Sequence, residues 1–207
     1  TPLAAQVSIR RVEESRRQLD EWREAVLAFA VANGRLPCPA SPTSRGLEAF
    51  APGSDANDGL CASFFDGYLP AATLGLAPLD PAGYARDAWG GEANRVRYAV
   101  HGGQPVGGID NALTRANGIR RATLEALGAT PSFLVICSSG AEVDARGCGP
   151  AANHLTRKAA FVLLSLGPNA ATTPARGSDE SRNLDGDGVF VSREPGPQFD
   201  DLVTWAS

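Results

Sequence analysis

The 207-residue chain is 43% hydrophobic and 20% charged, an ordinary globular composition with apolar material for one core. Its net charge is −4, and Lys158 is its sole lysine, which argues against nucleic acid as the main partner because phosphate binding leans on clustered Lys and Arg. No stretch reaches the ~18 consecutive apolar residues of a membrane span. The chain opens at Thr1-Pro2 and contains no methionine, so a targeting or membrane segment upstream is expected.

Residues 3–33 read as one long helix. Val12, Leu19, Trp22 and Val26 recur at helical spacings and draw one apolar stripe, whereas the first half is mostly polar. Glu13 and Arg17 form an i,i+4 pair with the acid first. Asn33-Gly34 supplies a left-handed stop, and Pro37 prevents continuation. The helix is therefore expected to be exposed early and core-packed late.

From 36 to about 90, prolines 37, 39, 42, 52, 70, 78 and 81 break any long element, with a short helical turn expected near 71–76. Such a stretch needs pinning. Strands are expected at 96–101, 133–137, 159–166, 189–192 and 202–206, and a second helix at 111–127. One long helix followed by successive strands gives an α+β fold: the helix packed on an antiparallel sheet, with long loops. One domain is expected, with the helix at 1–35 and a globular head at 36–207, comprising a loop region 36–95 and a sheet and C-terminal region 96–207.

Cys38, Cys61, Cys137 and Cys148 contain no C-x-x-C pair, which argues against zinc. Wide spacing and an even count suit two disulfides in an oxidising compartment; free buried thiols are the alternative. Of three connectivities, Cys38–Cys61 and Cys137–Cys148 are favoured, since each closes a loop rich in Gly, Pro, Asp and Ser.

The order of features resembles the type IV pilin and type II secretion pseudopilin superfamily. The residues 25–39, A-V-L-A-F-A-V-A-N-G-R-L-P-C-P, are similar to a pilin-type helix running into a G-x-L-P exit. Tyr68-Leu69-Pro70, then D-A-W-G at 87–90 and Arg97-Tyr98, are similar to the entry to the first strand of pseudopilins. The segment 199–205 resembles a closing strand. The chain departs from the family at its start, where the cleaved leader and apolar helix half of pilin precursors do not occur. The resemblance implies a structural subunit, a minor pilin or pseudopilin of a bacterial envelope filament, and not an enzyme. Its partners would be other such subunits through the helix (Val12, Leu19, Trp22, Val26) and the inner membrane through an upstream segment.

Residues 183–194 read N-x-D-x-D-G-x5-E, close to a calcium loop. Asn183, Asp185 and Asp187 would give side-chain oxygens, Val189 a carbonyl and Glu194 a carboxylate. Pro195 and Pro197 argue against a flanking helix, and an Asx-rich turn is the alternative. Calcium would make the chain a secreted calcium-dependent binding or adhesion module, the second functional reading; the resemblance adds that major pseudopilins bind calcium in a C-terminal loop. Asp179, Glu180 and the pair Asp200-Asp201 read as solvated or turn residues. Ser138-Ser139-Gly140 is not a G-x-S-x-G elbow, and His101 and His154 support no serine–histidine arrangement.

Overall fold

The computed structural model describes residues 2–145 and 147–207. Helix α1, Pro2–Asn33, is 32 residues long. Leu19, Trp22 and Val26 are buried with Ser15, while residues 3–11 are all exposed. Arg17 pairs with Glu14 at 2.6 Å, not with Glu13, because the guanidinium reaches both carboxylate oxygens one turn back. At the far end the Gly34 N–H donates to the Ala30 carbonyl at 2.8 Å with φ +64°, where a side chain would also meet Asn117. The Arg120 guanidinium donates to the carbonyls of Val31 and Ala32, completing the stop.

Residues 35–96 carry no strand longer than isolated bridges, as the prolines require, and the short helical turn expected at 71–76 is a turn in which the Leu74 N–H donates to the Pro70 carbonyl at 3.0 Å. Polar hubs hold the segment. Arg35 and Glu48 form a buried pair at 2.6 and 2.8 Å, and Glu48 also accepts from the Cys38 N–H. Asp80 accepts from the N–H groups of Ala82 and Tyr84 and from Arg86 and Arg95. Burial works to raise its pKa, yet the hydrogen bonds of Tyr84, Arg95 and Arg86 outweigh it and hold the carboxyl at about 2. In the D-A-W-G segment, buried Asp87 accepts from the Ser165 hydroxyl at 2.7 Å, tying this loop to the sheet.

The sequence suggests a single antiparallel sheet; the described residues instead build two three-stranded sheets. β1 (Arg97–Val100), β4 (Phe161–Ser165) and β6 (Leu202–Ala206) pair antiparallel in the order β1-β4-β6. β3 (His154–Ala159), β2 (Leu134–Cys137) and β5 (Val189–Val191) form the second, in which β2 and β5 run parallel. β3 escapes sequence reading because H-L-T-R-K-A is polar and its outward residues, Leu155 and Arg157, are exposed. Only Ala160 separates β3 from β4, so one bent strand passes from one sheet into the other.

Layers follow from strand alternation. α1 and the 36–96 segment pack on one face of the first sheet through Leu19, Trp22, Val26, Tyr98, Phe161, Leu163 and Leu202. The other face, with Ala99 and Val162, meets Leu134, Ile136 and Phe190 of the second sheet. The outer face of the second sheet, Val135, Cys137, Val189 and Val191, is covered by Val143, Cys148 and Phe199. Trp89 and Trp205 are partly buried against these cores.

The helix expected at 111–127 is interrupted. Asn111 and Asn117 adopt positive φ, and two short helices follow, α2 (Gly118–Arg121) and α3 (Leu124–Ala129). Lys158 serves as the C-terminal cap of α3, donating to the carbonyls of Leu127, Gly128 and Thr130. Both expected disulfide pairings are formed, Cys38–Cys61 and Cys137–Cys148.

Candidate functional site

Two features invite a functional reading. The first is the outer third of α1. Leu3, Val7 and Ile9 are 70%, 42% and 57% exposed, with Arg10 and Arg11 beside them. The stripe assigned to assembly from sequence behaves differently: Leu19, Trp22 and Val26 are spent on the chain's own core, and Val12 is half-buried. Their spacing matches the sheet face they cover, which leaves Leu3, Val7 and Ile9 before Val12, and Val31 at the far end, as the helix's exposed large apolar residues.

The second feature is a carboxylate cluster. Glu180 lies on α4 (Asp179–Arg182), whose N-terminus is capped by Ser178 accepting from the Ser181 N–H. Asp200 and Asp201 immediately precede β6. One oxygen from each of the three lies within 4.8 Å of the others, the one such group of acidic, histidine or cysteine side chains among the described residues. Asn169 donates to both Glu180 oxygens at 3.0 and 3.2 Å, and the Asp200 N–H donates at 2.9 Å. Asn183 donates to Asp201 at 2.8 Å. Among the described residues, Asp200 Oδ1 is buried with no hydrogen-bond partner, and no arginine or lysine pairs with the three. Burial, then the neighbouring Glu180 charge, pushes Asp200 up to about 6; burial raises Asp201 to about 7, with Glu180 and Asp200 adding to it against the Asn183 hydrogen bond. Carboxylates crowded in this way can hold a metal ion, which would remove the repulsion that the protein's own groups leave in place.

The 183–194 loop is arranged otherwise than its pattern suggests. Asn183 is buried and turns its carboxamide onto the edge of β5, accepting from the Val191 N–H at 2.7 Å and donating to the Val191 carbonyl at 3.1 Å. Glu194 is 94% exposed and lies 3.6 Å from Arg16 of α1. Asp185 accepts from the Asp187 N–H and Asp187 from the Val189 N–H, the short-range bonds of an Asx turn, and Val189 continues into β5. Burial, then Asp185, raises Asp187 to about 6 against the Val189 hydrogen bond. The loop thus contributes Asn183, through Asp201, to an acidic group whose members come from either side of it. The adjacent Asp200-Asp201 pair before a strand was the available signal; that Glu180, twenty residues earlier, meets it depends on the path of the intervening chain.

Ser139 accepts from the Ala141 N–H, and His154 is held by the Pro150 carbonyl, Arg157 and the Cys148 N–H, so no serine–histidine hydrogen bond forms among the described residues. Two disulfides suit an oxidising, extracellular or periplasmic environment. No helix among the described residues is long and apolar enough to cross a membrane. Scans against protein-family models, curated proteins and solved structures return no match. Fold and site together define a disulfide-braced α+β fold with a long N-terminal helix, exposed over residues 3–11, and a carboxylate cluster.

Proposed function

We propose that the chain is the head of a structural subunit of a bacterial envelope filament, of the minor pilin or pseudopilin type, and that it works by packing and not by catalysis. The projecting third of α1 carries this reading. Val7 and Ile9 are two residues apart on a helix and so point to opposite faces, with Leu3 one turn before Val7. Apolar groups on two faces call for neighbours on two sides, as in an open helical assembly, whereas a closed dimer would need one face. Leu3 and Ile9 are 70% and 57% exposed, apolar area whose removal from water by a partner would favour association.

The test is photo-crosslinking from position 9 in cells. Adducts with another copy or a like subunit are expected; adducts confined to an unrelated soluble protein would overturn the proposal. The same reading expects a stretch of ~20 apolar residues encoded directly before Thr1.

The carboxylate cluster supports a second reading, a secreted binding or adhesion module organised by calcium at Glu180, Asp200 and Asp201. Calcium added at neutral pH is then expected to raise the melting temperature, and Asp201→Asn to abolish the gain. A melting temperature unmoved by calcium discards this reading and leaves the first untouched.

A further inference from the structure

At the end of the first sheet where β1 stops and β4 starts, a cleft of about 480 Å³ opens beside the rim of the second sheet. This lies within the ~300–1,000 Å³ of small-molecule sites. Two partly buried aromatic rings, Phe65 and Phe133, line it with His101, whose imidazole stacks on Phe133 at 4.6 Å between centroids and 33° between planes. His101 is 7% exposed, and its Nε2 has no hydrogen-bond partner among the described residues. Burial, then the Lys158 charge, lowers its pKa to about 4, so the ring is uncharged at neutral pH. Besides His101, the polar side chains of the lining are Gln104, Ser132, Arg157 and Asp187. Gln104 makes no side-chain hydrogen bond among the described residues, Arg157 is engaged at Nη1 by His154, and Asp187 Oδ1 accepts from the Val189 N–H.

These walls narrow the ligand chemistry. One carboxylate and one guanidinium cancel, so neither an anion nor a cation is favoured outright. A wholly apolar guest would strip water from both charges with nothing in return. A ligand with C–H faces for the rings and hydroxyls that both donate and accept suits this lining: it can donate to Asp187, accept from Arg157 and do either with Gln104, Ser132 and the His101 Nε2. We propose that this cleft is a binding site for a neutral saccharide ring.

Its position adds a functional setting. The projecting part of α1 leaves the opposite end of the sheet, where Ser15 accepts from the Ala88 N–H beside Asp87, itself bound to Ser165 at the end of β4. The cleft therefore stays open to solvent when the helix is engaged. This setting rests on the assembly reading; the binding itself does not.

The test is a titration of the ¹⁵N-labelled chain with the methyl glycosides of glucose, galactose, mannose and N-acetylglucosamine, read from amide shifts. Saturable shifts at Gly102, Gln104 and Gly188 are expected for at least one glycoside. Asp187→Asn and Arg157→Ala should each weaken that binding roughly tenfold, the scale of one hydrogen bond to a charged group. Both are expected to keep the amide spectrum of the fold, because the carboxamide of Asp187→Asn retains an oxygen for the Val189 N–H and Arg157 is exposed. No saturable shift with any of the four, or shifts elsewhere only, overturns the proposal, as does binding unaffected by both variants. Ile9→Asp separates the two readings: it should abolish assembly and leave glycoside binding unchanged.

Discussion

The two parts of α1 are one continuous helix with one set of backbone bonds, yet they answer to different partners. Between Ser15 and Val26 the buried face packs on the first sheet and on the loop at Ala88, and the helix is held by tertiary packing. Between Leu3 and Arg11 the chain makes no such contacts, and its apolar residues occupy more than one face. A helical stretch without tertiary support is marginal in water unless it continues a longer helix that has been nucleated elsewhere. The packed part thus acts as the template that keeps the free part helical and presented. The contrast teaches that burial, and not helicity, separates the structural half of an amphipathic segment from the half available to others.

The sharpest way to break this comparison is to damage each part and measure stability. Leu19→Ala removes a buried side chain and is expected to cost about 2–5 kcal/mol, seen as a lower denaturant midpoint with an unchanged slope. A loss below the lower figure would mean that the packed half is not carrying the helix. Next in size is the loop chemistry on the two sides of the molecule. Replacing Cys38 and Cys61 by serine opens a loop with a sequence separation of 23, against 11 for Cys137 and Cys148. Chain entropy places each loss at about 3 kcal/mol, the longer loop losing slightly more; reversed ranking in thermal melts would show that native contacts, and not loop length, decide.

The carboxylate cluster shows in pH dependence. Asp201, at about 7, is harder to ionise folded than unfolded, where the ordinary value is ~3.9. The folded state then binds more protons, so stability falls as pH rises from about 4 to about 7 and levels above it. Asp200, at about 6, contributes the same sign over a narrower window. Asp201→Asn should flatten this slope in melts recorded across that range; an unchanged slope would place the linkage elsewhere. The smallest expected effect is Ile9→Ala, within about 0.5 kcal/mol, since the site is exposed and touches no core. A marked loss there would show that the free half of the helix supports the head after all.

Local chemistry made much of this fold legible. The long helix and its Asn33-Gly34 stop, the proline-broken loop, the strand at 202–206 and both disulfide pairings are written in periodicity, turn residues and cysteine spacing. What was not legible depends on long-range geometry. The polar edge strand β3 lacks an apolar signature because only part of it meets a core, and the split into two sheets follows from a bend at Ala160 that no composition marks. Asn117 broke the expected second helix by taking a left-handed conformation against Gly34, whose missing side chain leaves room for it. The pattern at 183–194 did not reveal that the Asn183 carboxamide bonds to Val191 like a neighbouring strand. The carboxylates that do meet are brought together from positions 180 and 200–201.

The bent strand has a mechanical corollary. Because residues 154–165 belong to both sheets, tension applied through α1 to β4 is passed along an unbroken covalent segment into the outer layer, with no sliding interface between. The two layers should then yield together under load, giving a single rupture event in pulling experiments.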